Sequence, residues 1–337
     1  MKECTSPSAL LALVEQHGQA FNPINSATAL THAAQLFSRK GARIADINPI
    51  VVLAREQLRS MEPRALANSV FDLAKLQHKD SAFLGALLEA ATLKLRNFNP
   101  QDVANTVWAL ATLGHKDSAF VAALLKAATP QLHDFEPRHL TNTVWALATL
   151  GHTGSAFVAT LLKAAAPKLC DFKPQELTNT VWALATLGHY DRAFMAALLK
   201  VATPQLRDFN PQNLANTVWA LATLGHADGA FMAALIKVAS PQLRDFNTQA
   251  LSNTVWALAK LGHTDSAFVA ALLKAAAPQL CNFTPQNLSN TAWALATLGH
   301  ADGAFMNTLL QQAAGRELDL NAKDLTQLFQ CLLWLEE

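Results

Sequence analysis

The sequence predicts an all-α fold, a right-handed superhelical αα-repeat solenoid of 37-residue units. Three observations predict it. Six tryptophans, Trp108, Trp145, Trp182, Trp219, Trp256 and Trp293, fall 37 residues apart without a slip. Each stands in a near-identical block, as in the copy FNPQDVANTVWALATLGHKDSAFVAALLKAATPQLHD of residues 98–134. No stretch shows the apolar/polar alternation of a strand. A fixed period of this size means one supersecondary unit copied in tandem, each copy too small to bury a core alone.

Each unit reads as two helices. The first opens with Asn99 as N-cap and Pro100 at the first helical position, and stops at Gly114. Val103, Val107, Leu110 and Ala111 (unit positions 6, 10, 13 and 14) form an apolar stripe at helical spacing. The second helix starts near Asp117 as its cap and turns Phe120, Val121, Leu124, Leu125 and Ala128 inward. Pro130 costs an interior helix a backbone hydrogen bond, so that helix is expected to end there. A short third turn is expected from this proline. Thr129, Thr203 and Ser240 would cap it, while Ala166 and Ala277 hold the same place without a capping oxygen.

The copies run over 98–134, 135–171, 172–208, 209–245, 246–282 and 283–319, with a looser one at 61–97 that has Phe71 at the tryptophan position. Residues 1–60 read as an N-terminal cap holding a degenerate copy at 24–60, and 320–337 as a C-terminal capping helix. Terminal units drift from consensus because one of their faces meets water. Residues 61–319 therefore form seven tandem helical repeats between two caps.

A length of 337 residues would ordinarily suggest about two domains. The repeat overrides that prior, because a solenoid has no single core and grows linearly. Cys4, Cys170, Cys281 and Cys331 follow no metal spacing and read as thiols in a reducing compartment. No window approaches a membrane span and no signal-peptide pattern opens the chain. The expected location is the cytoplasm of a bacterium, or of a host cell after delivery. An organelle is the alternative if a leader has been removed. Nearly every polar residue recurs from copy to copy, whereas catalysis needs one asymmetric site. We therefore expect no enzyme, no cofactor and no metal. The recurring Gly-His pairs, Gly114–His115 through Gly299–His300, read as helix ends, since no second ligand accompanies the histidine at i+3 or i+4.

Net charge is +1, but the charges are sorted. Position 29 gives a ladder of Lys126, Lys163, Lys200, Lys237 and Lys274, and position 37 gives Asp134, Asp171, Asp208 and Asp245. The plain reading is that both ladders are solvated faces. The functional one makes the lysines phosphate contacts, although they sit on the second helix.

Copies this similar permit an internal comparison. Position 8 is asparagine in seven copies: Asn68, Asn105, Asn142, Asn179, Asn216, Asn253 and Asn290. On a helical wheel it lies away from the core stripe, with alanine at position 12 and mostly threonine at position 15 on the same side. Position 5 shares that side and varies: Ala65, Asp102, His139, Glu176, Asn213, Ala250, Asn287. A modular reader needs such a pattern, with a constant amide fixing register and a changing neighbour selecting the base. The competing reading makes the asparagines an inter-repeat ladder that satisfies backbone groups, and leaves position 5 exposed and free to drift. The tryptophans, at the edge of the core stripe, are expected to pack between repeats rather than stack on bases.

The block NPQNLANTVWALATLGH, Asn210–His226 and nearly so in every other copy, resembles the octatricopeptide repeat family. The 37-residue period is similar to that of its relatives, the heptatricopeptide repeats. The resemblance covers about residues 61–319. It implies a paired-helix solenoid that binds RNA sequence-specifically and acts on maturation, stability or translation by occupying its target. Two departures stand out. The family's PPPEW element is missing from these units, and no RAP-type domain follows residue 319, so a nuclease-like role is not implied. The expected partner is single-stranded RNA at about one base per repeat, with a protein ligand as the alternative, no membrane, and a monomeric state. Near-neutral charge favours the protein ligand, and the single variable position per unit favours RNA.

Overall fold

The structure is a computed structural model that describes residues 4–40, 47–300, 303–315, 321–322 and 325–330, without the side chains of 38–40 and 155. The fold is an all-α solenoid of repeats, with no strand among the described residues. The chain divides into two compact units, Met1–Lys168 and Leu169–Glu337. The first holds α1 (Pro7–His17), α2 (Pro23–Lys40), α3 (Asn48–Gln57), α4 (Pro63–Lys75), α5 (Ser81–Thr92), α6 (Pro100–Leu113), α7 (Ser118–Ala128), α8 (Pro137–Leu150) and α9 (Ser155–Ala165). The second holds α10 (Pro174–Leu187), α11 (Arg192–Gln205), α12 (Pro211–Leu224), α13 (Gly229–Ala239), α14 (Thr248–Leu261), α15 (Ser266–Ala276), α16 (Pro285–Thr297) and α17 (Ala304–Ala314).

The helix ends follow from local chemistry. At the start of α6, Asn99 Oδ1 accepts from the Asp102 N–H at 2.9 Å, and the Asp102 carboxylate accepts from the Asn99 N–H at 3.1 Å. At its end Gly114 takes φ 69°, and the His115 N–H donates to the Leu110 carbonyl at 2.9 Å. That closure needs a left-handed residue, which glycine supplies without a Cβ penalty. The second helix begins where the Asp117 carboxylate accepts from the Phe120 N–H at 2.9 Å. Phe120, Val121, Leu124, Leu125 and Ala128 are all buried, as the periodicity predicts.

The third turn is present as a 3-10 turn at Thr129–Asp134, Ala166–Asp171, Ser240–Asp245 and Ala277–Asn282. In the copy between, α11 runs on through Pro204 to Gln205 before a shorter turn. The expected caps act otherwise. Thr129, Thr203 and Ser240 donate back to the carbonyls of Leu125, Leu199 and Ile236 at 2.8–2.9 Å. Ala166 and Ala277 form the turn equally well, so it does not need the hydroxyl. A different contact closes the repeat. Gln131, Gln205 and Gln279, at unit position 34, donate to the carbonyls of Phe98, Phe172 and Phe246 at 2.8–3.2 Å. Lys94 and Lys168 make the same tie to the Met61 and Phe135 carbonyls.

One terminal boundary shifts. The first helix of the degenerate N-terminal copy starts at Pro23, where Phe21-Asn22-Pro23 stand as Phe98-Asn99-Pro100 do, so that copy begins three residues earlier than position 24. Most of the C-terminal capping helix expected at 320–337, with Cys331, lies outside the described residues; 325–330 are helical.

First helices pack on first helices: α2 on α4, α4 on α6 and α6 on α8 in one unit, and α10 on α12, α12 on α14 and α14 on α16 in the other. The residues between them are small. On α12 these are Ala215, Thr217, Ala220 and Ala222, each buried. Such residues let helix axes approach toward the short end of the usual ~8–10 Å. Position 12, placed by the helical wheel on the polar side, is buried in every copy from Ala109 to Ala294. The wheel treats one helix at a time, and the neighbouring first helix covers that flank.

Candidate nucleic-acid interface

One stripe of each first helix stays open. The stripe runs through positions 4, 8, 11 and 15, spaced i, i+4, i+7 and i+11, which places them on one helix face. On α12 it reads Gln212, Asn216, Trp219 and Thr223. On α4 it reads Arg64, Asn68, Phe71 and Lys75. Position 4 is exposed and positions 8 and 11 are half-exposed in all seven copies from α4 to α16.

The seven asparagines at position 8 decide between the two readings made from sequence. A backbone-satisfying ladder would show hydrogen bonds from their amides. Among the described residues, none of these side chains makes one. Each therefore presents an unsatisfied donor pair and acceptor to solvent. The tryptophans beside them are half-exposed, and their indole N–H groups likewise have no intramolecular partner among the described residues. Neighbouring aromatics line up across the helices: Phe71 and Trp108 have ring centroids 5.1 Å apart, and Trp256 and Trp293 6.5 Å apart. These four rings pack between repeats, and each is also half-exposed. Position 4 and the aromatic of position 11 are the stripe members that sequence reasoning undervalued. Their spacing of −4 and +3 from the asparagine was the available signal.

Position 5 has a different occupation. Four of its seven side chains turn back to the start of their own helix. The Asp102, Glu176 and Asn213 oxygens accept from the backbone N–H of Asn99, Lys173 and Asn210 at 3.1, 2.9 and 3.2 Å. His139 Nδ1 accepts from the Glu136 N–H at 3.3 Å. Burial holds the His139 pKa below its ordinary value, with the Glu136 charge opposing, which suits a neutral ring that can accept. Burial raises the Asp102 carboxyl above the usual range, partly offset by its bond from Asn99. Asp102, Asn213, Ala250 and Asn287 are buried, and Ala65, His139 and Glu176 half-buried. The variation at this position thus falls on a residue that, in four copies, takes part in its own helix cap, as in Asn99–Asp102, Glu136–His139, Lys173–Glu176 and Asn210–Asn213.

The lysine ladder, Lys126, Lys163, Lys200, Lys237 and Lys274, is exposed on the second helices and is not brought to the asparagine stripe. Lys126 instead lines an open groove of about 870 Å³ with Arg96, Asn97 and Gln131. Charge on the stripe itself is one-sided. Arg64, Arg138, Lys75 and Lys260 occupy positions 4 and 15, all exposed, and no acidic residue occurs at any of its four positions from α4 to α16. The Lys75 ammonium lies 4.6 Å from the centroid of Phe71, a cation–π contact. Among the described residues no cluster of His, Cys, Asp and Glu could hold a metal ion, and no helix is long and apolar enough to cross a membrane.

The family model described as RNA-editing substrate-binding complex 6 protein matches residues 31–266, well over half of the chain. The chain belongs to this family. In this member of the RNA-editing substrate-binding complex 6 family, the matched span runs from α2 to the start of α15 and so contains the stripes of α4 to α14. A second model, FAST kinase-like protein, subdomain 1, matches residues 251–319, which include α16. Neither description carries the octatricopeptide or heptatricopeptide name. No curated protein matches. Among the solved structures, a chain of a "Homology model of the full-length AP-3 complex in an intermediate open conformation" is similar at 11% identity and a TM-score of 0.34. The alignment covers 93% of this chain and 64% of that one, so this chain spans under two-thirds of its length. At that score no argument rests on it.

Proposed function

We propose that the protein is a scaffold that binds single-stranded RNA along the first-helix stripe and acts by occupying its target rather than by catalysis. The observation that carries this reading is the recurrence, on seven first helices, of a carboxamide with no partner among the described residues beside an open aromatic. A carboxamide offers donor and acceptor together, and an aromatic face stacks any base for about 1–3 kcal/mol. Membership in a family described as an RNA-editing substrate-binding complex protein supports the same ligand. Four cations without an acid on the stripe suit a phosphodiester backbone, while the lysines of the second helices face elsewhere. One nucleotide per unit remains the proposed stoichiometry. Kinship with the octatricopeptide and heptatricopeptide repeats belongs to the same proposal.

Base selection at position 5 would require its side chains to leave the cap, and losing a cap costs about 1 kcal/mol per helix. We therefore assign the first contact to Asn68, Asn105, Asn142, Asn179, Asn216, Asn253 and Asn290.

The test is retention of a randomised single-stranded RNA pool at near-physiological salt, with the Asn142→Ala/Asn179→Ala/Asn216→Ala variant alongside. The expected result is retention by the natural protein and at least a ten-fold loss in the variant. Equal retention by both would move the site off the stripe. Retention by neither would replace RNA with a protein ligand.

A further inference from the structure

We propose that the RNA is a tract of one repeated base, with adenine the base that the stripe fits. The inference rests on the RNA reading above and concerns what that same site selects. It starts from the difference between the two sets of first-helix residues. Of those that vary from copy to copy, at position 5, Asp102, His139, Glu176 and Asn213 are bonded into their own helix starts, and Ala65 and Ala250 carry no polar side chain. Those that are open to a ligand hardly vary. Position 8 is always asparagine, position 11 is tryptophan in six of seven copies, and position 4 is glutamine in five.

A reader built from identical heads at a fixed 37-residue period sees the same base at every step. Distinct letters need distinct side chains in reach of them, because each base edge has its own donor and acceptor order. Such differences are confined here to two arginines at position 4 and two lysines at position 15, one phenylalanine at position 11, and position 5, where four of the side chains are tied into caps. Long cations at the ends of the stripe reach phosphates as readily as bases. A uniform stripe therefore discriminates one base from three others, and repeats that choice along the strand.

The choice of base follows from the carboxamide. Its oxygen and N–H match the N6 amino donor and N7 acceptor of adenine in a bidentate pair. Guanine offers a donor and acceptor pair only on its Watson–Crick edge, since N7 and O6 on the other are both acceptors, whereas adenine offers such a pair on each edge. The adjoining indole supplies a stacking face, and purines offer it the larger ring.

The experiment measures binding of the full chain to four RNA homopolymers, each longer than the seven stripes, and to a shuffled mixed-sequence RNA of equal length. The selection from a randomised pool is read in parallel. We expect one homopolymer, oligoadenylate, to bind at least ten-fold tighter than the mixed RNA, and the pool to return runs of that base. The Asn142→Ala/Asn216→Ala variant should lose that preference with its circular dichroism unchanged, and Asp102→Asn should leave it intact. A different homopolymer winning by the same margin would keep the uniform readout and overturn the adenine assignment. A mixed motif, or one altered at a single position by Asp102→Asn, would overturn the inference while leaving the RNA reading standing. No binding of any RNA would remove both.

Discussion

Position 12 is alanine in six copies and Asp72 in the seventh, and that exception can be used to test the packing account quantitatively. Asp72 is buried at 4% exposure on α4, at the contact with α2, where the Thr31 hydroxyl donates to its carboxylate at 2.6 Å. Burial raises its pKa from 3.8 to about 6, against the opposing effects of Thr31 and of the Lys75 charge. A folded-state pKa above the unfolded one means that the folded state prefers the proton. The carboxyl therefore favours folding below about pH 3.8 relative to neutrality, and this contribution is lost as pH rises through about 6. At about 1.36 kcal/mol per pKa unit, the ionised group costs the folded state about 3 kcal/mol at pH 7.5. Asp72→Ala restores the residue of the other copies and removes that cost. It also deletes the Thr31 hydrogen bond, worth about 1 kcal/mol. The variant is expected to be more stable by about 2 kcal/mol at pH 7.5 and less stable by about 1 kcal/mol near pH 3.5. Urea unfolding followed by helical circular dichroism at the two pH values measures both. A variant less stable at pH 7.5, or two stability curves that run parallel with pH, would refute the reasoning.

The remaining expectations concern the stripe and the helix ends. Asn142→Ala/Asn179→Ala/Asn216→Ala should change stability by less than about 0.5 kcal/mol per site, because no intramolecular bond is lost; a melting curve checks this. RNA affinity should fall with salt at a log–log slope no steeper than about −3, since four cations at about −0.7 each bound the phosphate contacts; titration at several salt concentrations tests it. Gly188→Ala should cost about 1–2 kcal/mol. The added Cβ meets nothing within 4 Å, so the cost comes from φ +63° alone, and chemical unfolding reads it. Glu176→Ala should destabilise by about 1 kcal/mol through its cap, and leave base preference unchanged in the homopolymer assay.

Much of the architecture could be read without coordinates because its signals are local. Asn99, Pro100, Gly114 and Asp117 mark helix ends by their own backbone chemistry, and Val103, Val107 and Leu110 repeat with the helix period. What escaped depends on neighbours in space. Ala220 looks solvent-facing until the adjacent first helix is placed against it. Thr203 looks like a cap until its hydroxyl is seen on Leu199. At the site, the asparagines were singled out by their recurrence, and their lack of bonding partners became visible only in three dimensions. Position 5 misled for a related reason. Variation between copies marks a ligand-reading position and a capping position alike, and only the His139–Glu136 and Glu176–Lys173 contacts separate the two.

The ties at unit position 34 bear on how such a chain can change over generations. Gln131 bonds Phe98, Gln205 bonds Phe172, and each helix start is capped by residues of its own copy, so these closures begin and end within 37 residues. A copy can then be gained or lost by recombination between near-identical stretches of coding sequence without severing these closures in its neighbours. The junction regenerates the same small-residue contact. Array length is thereby an easily tuned inherited trait, and on the uniform readout proposed above it sets the length of tract that one molecule covers.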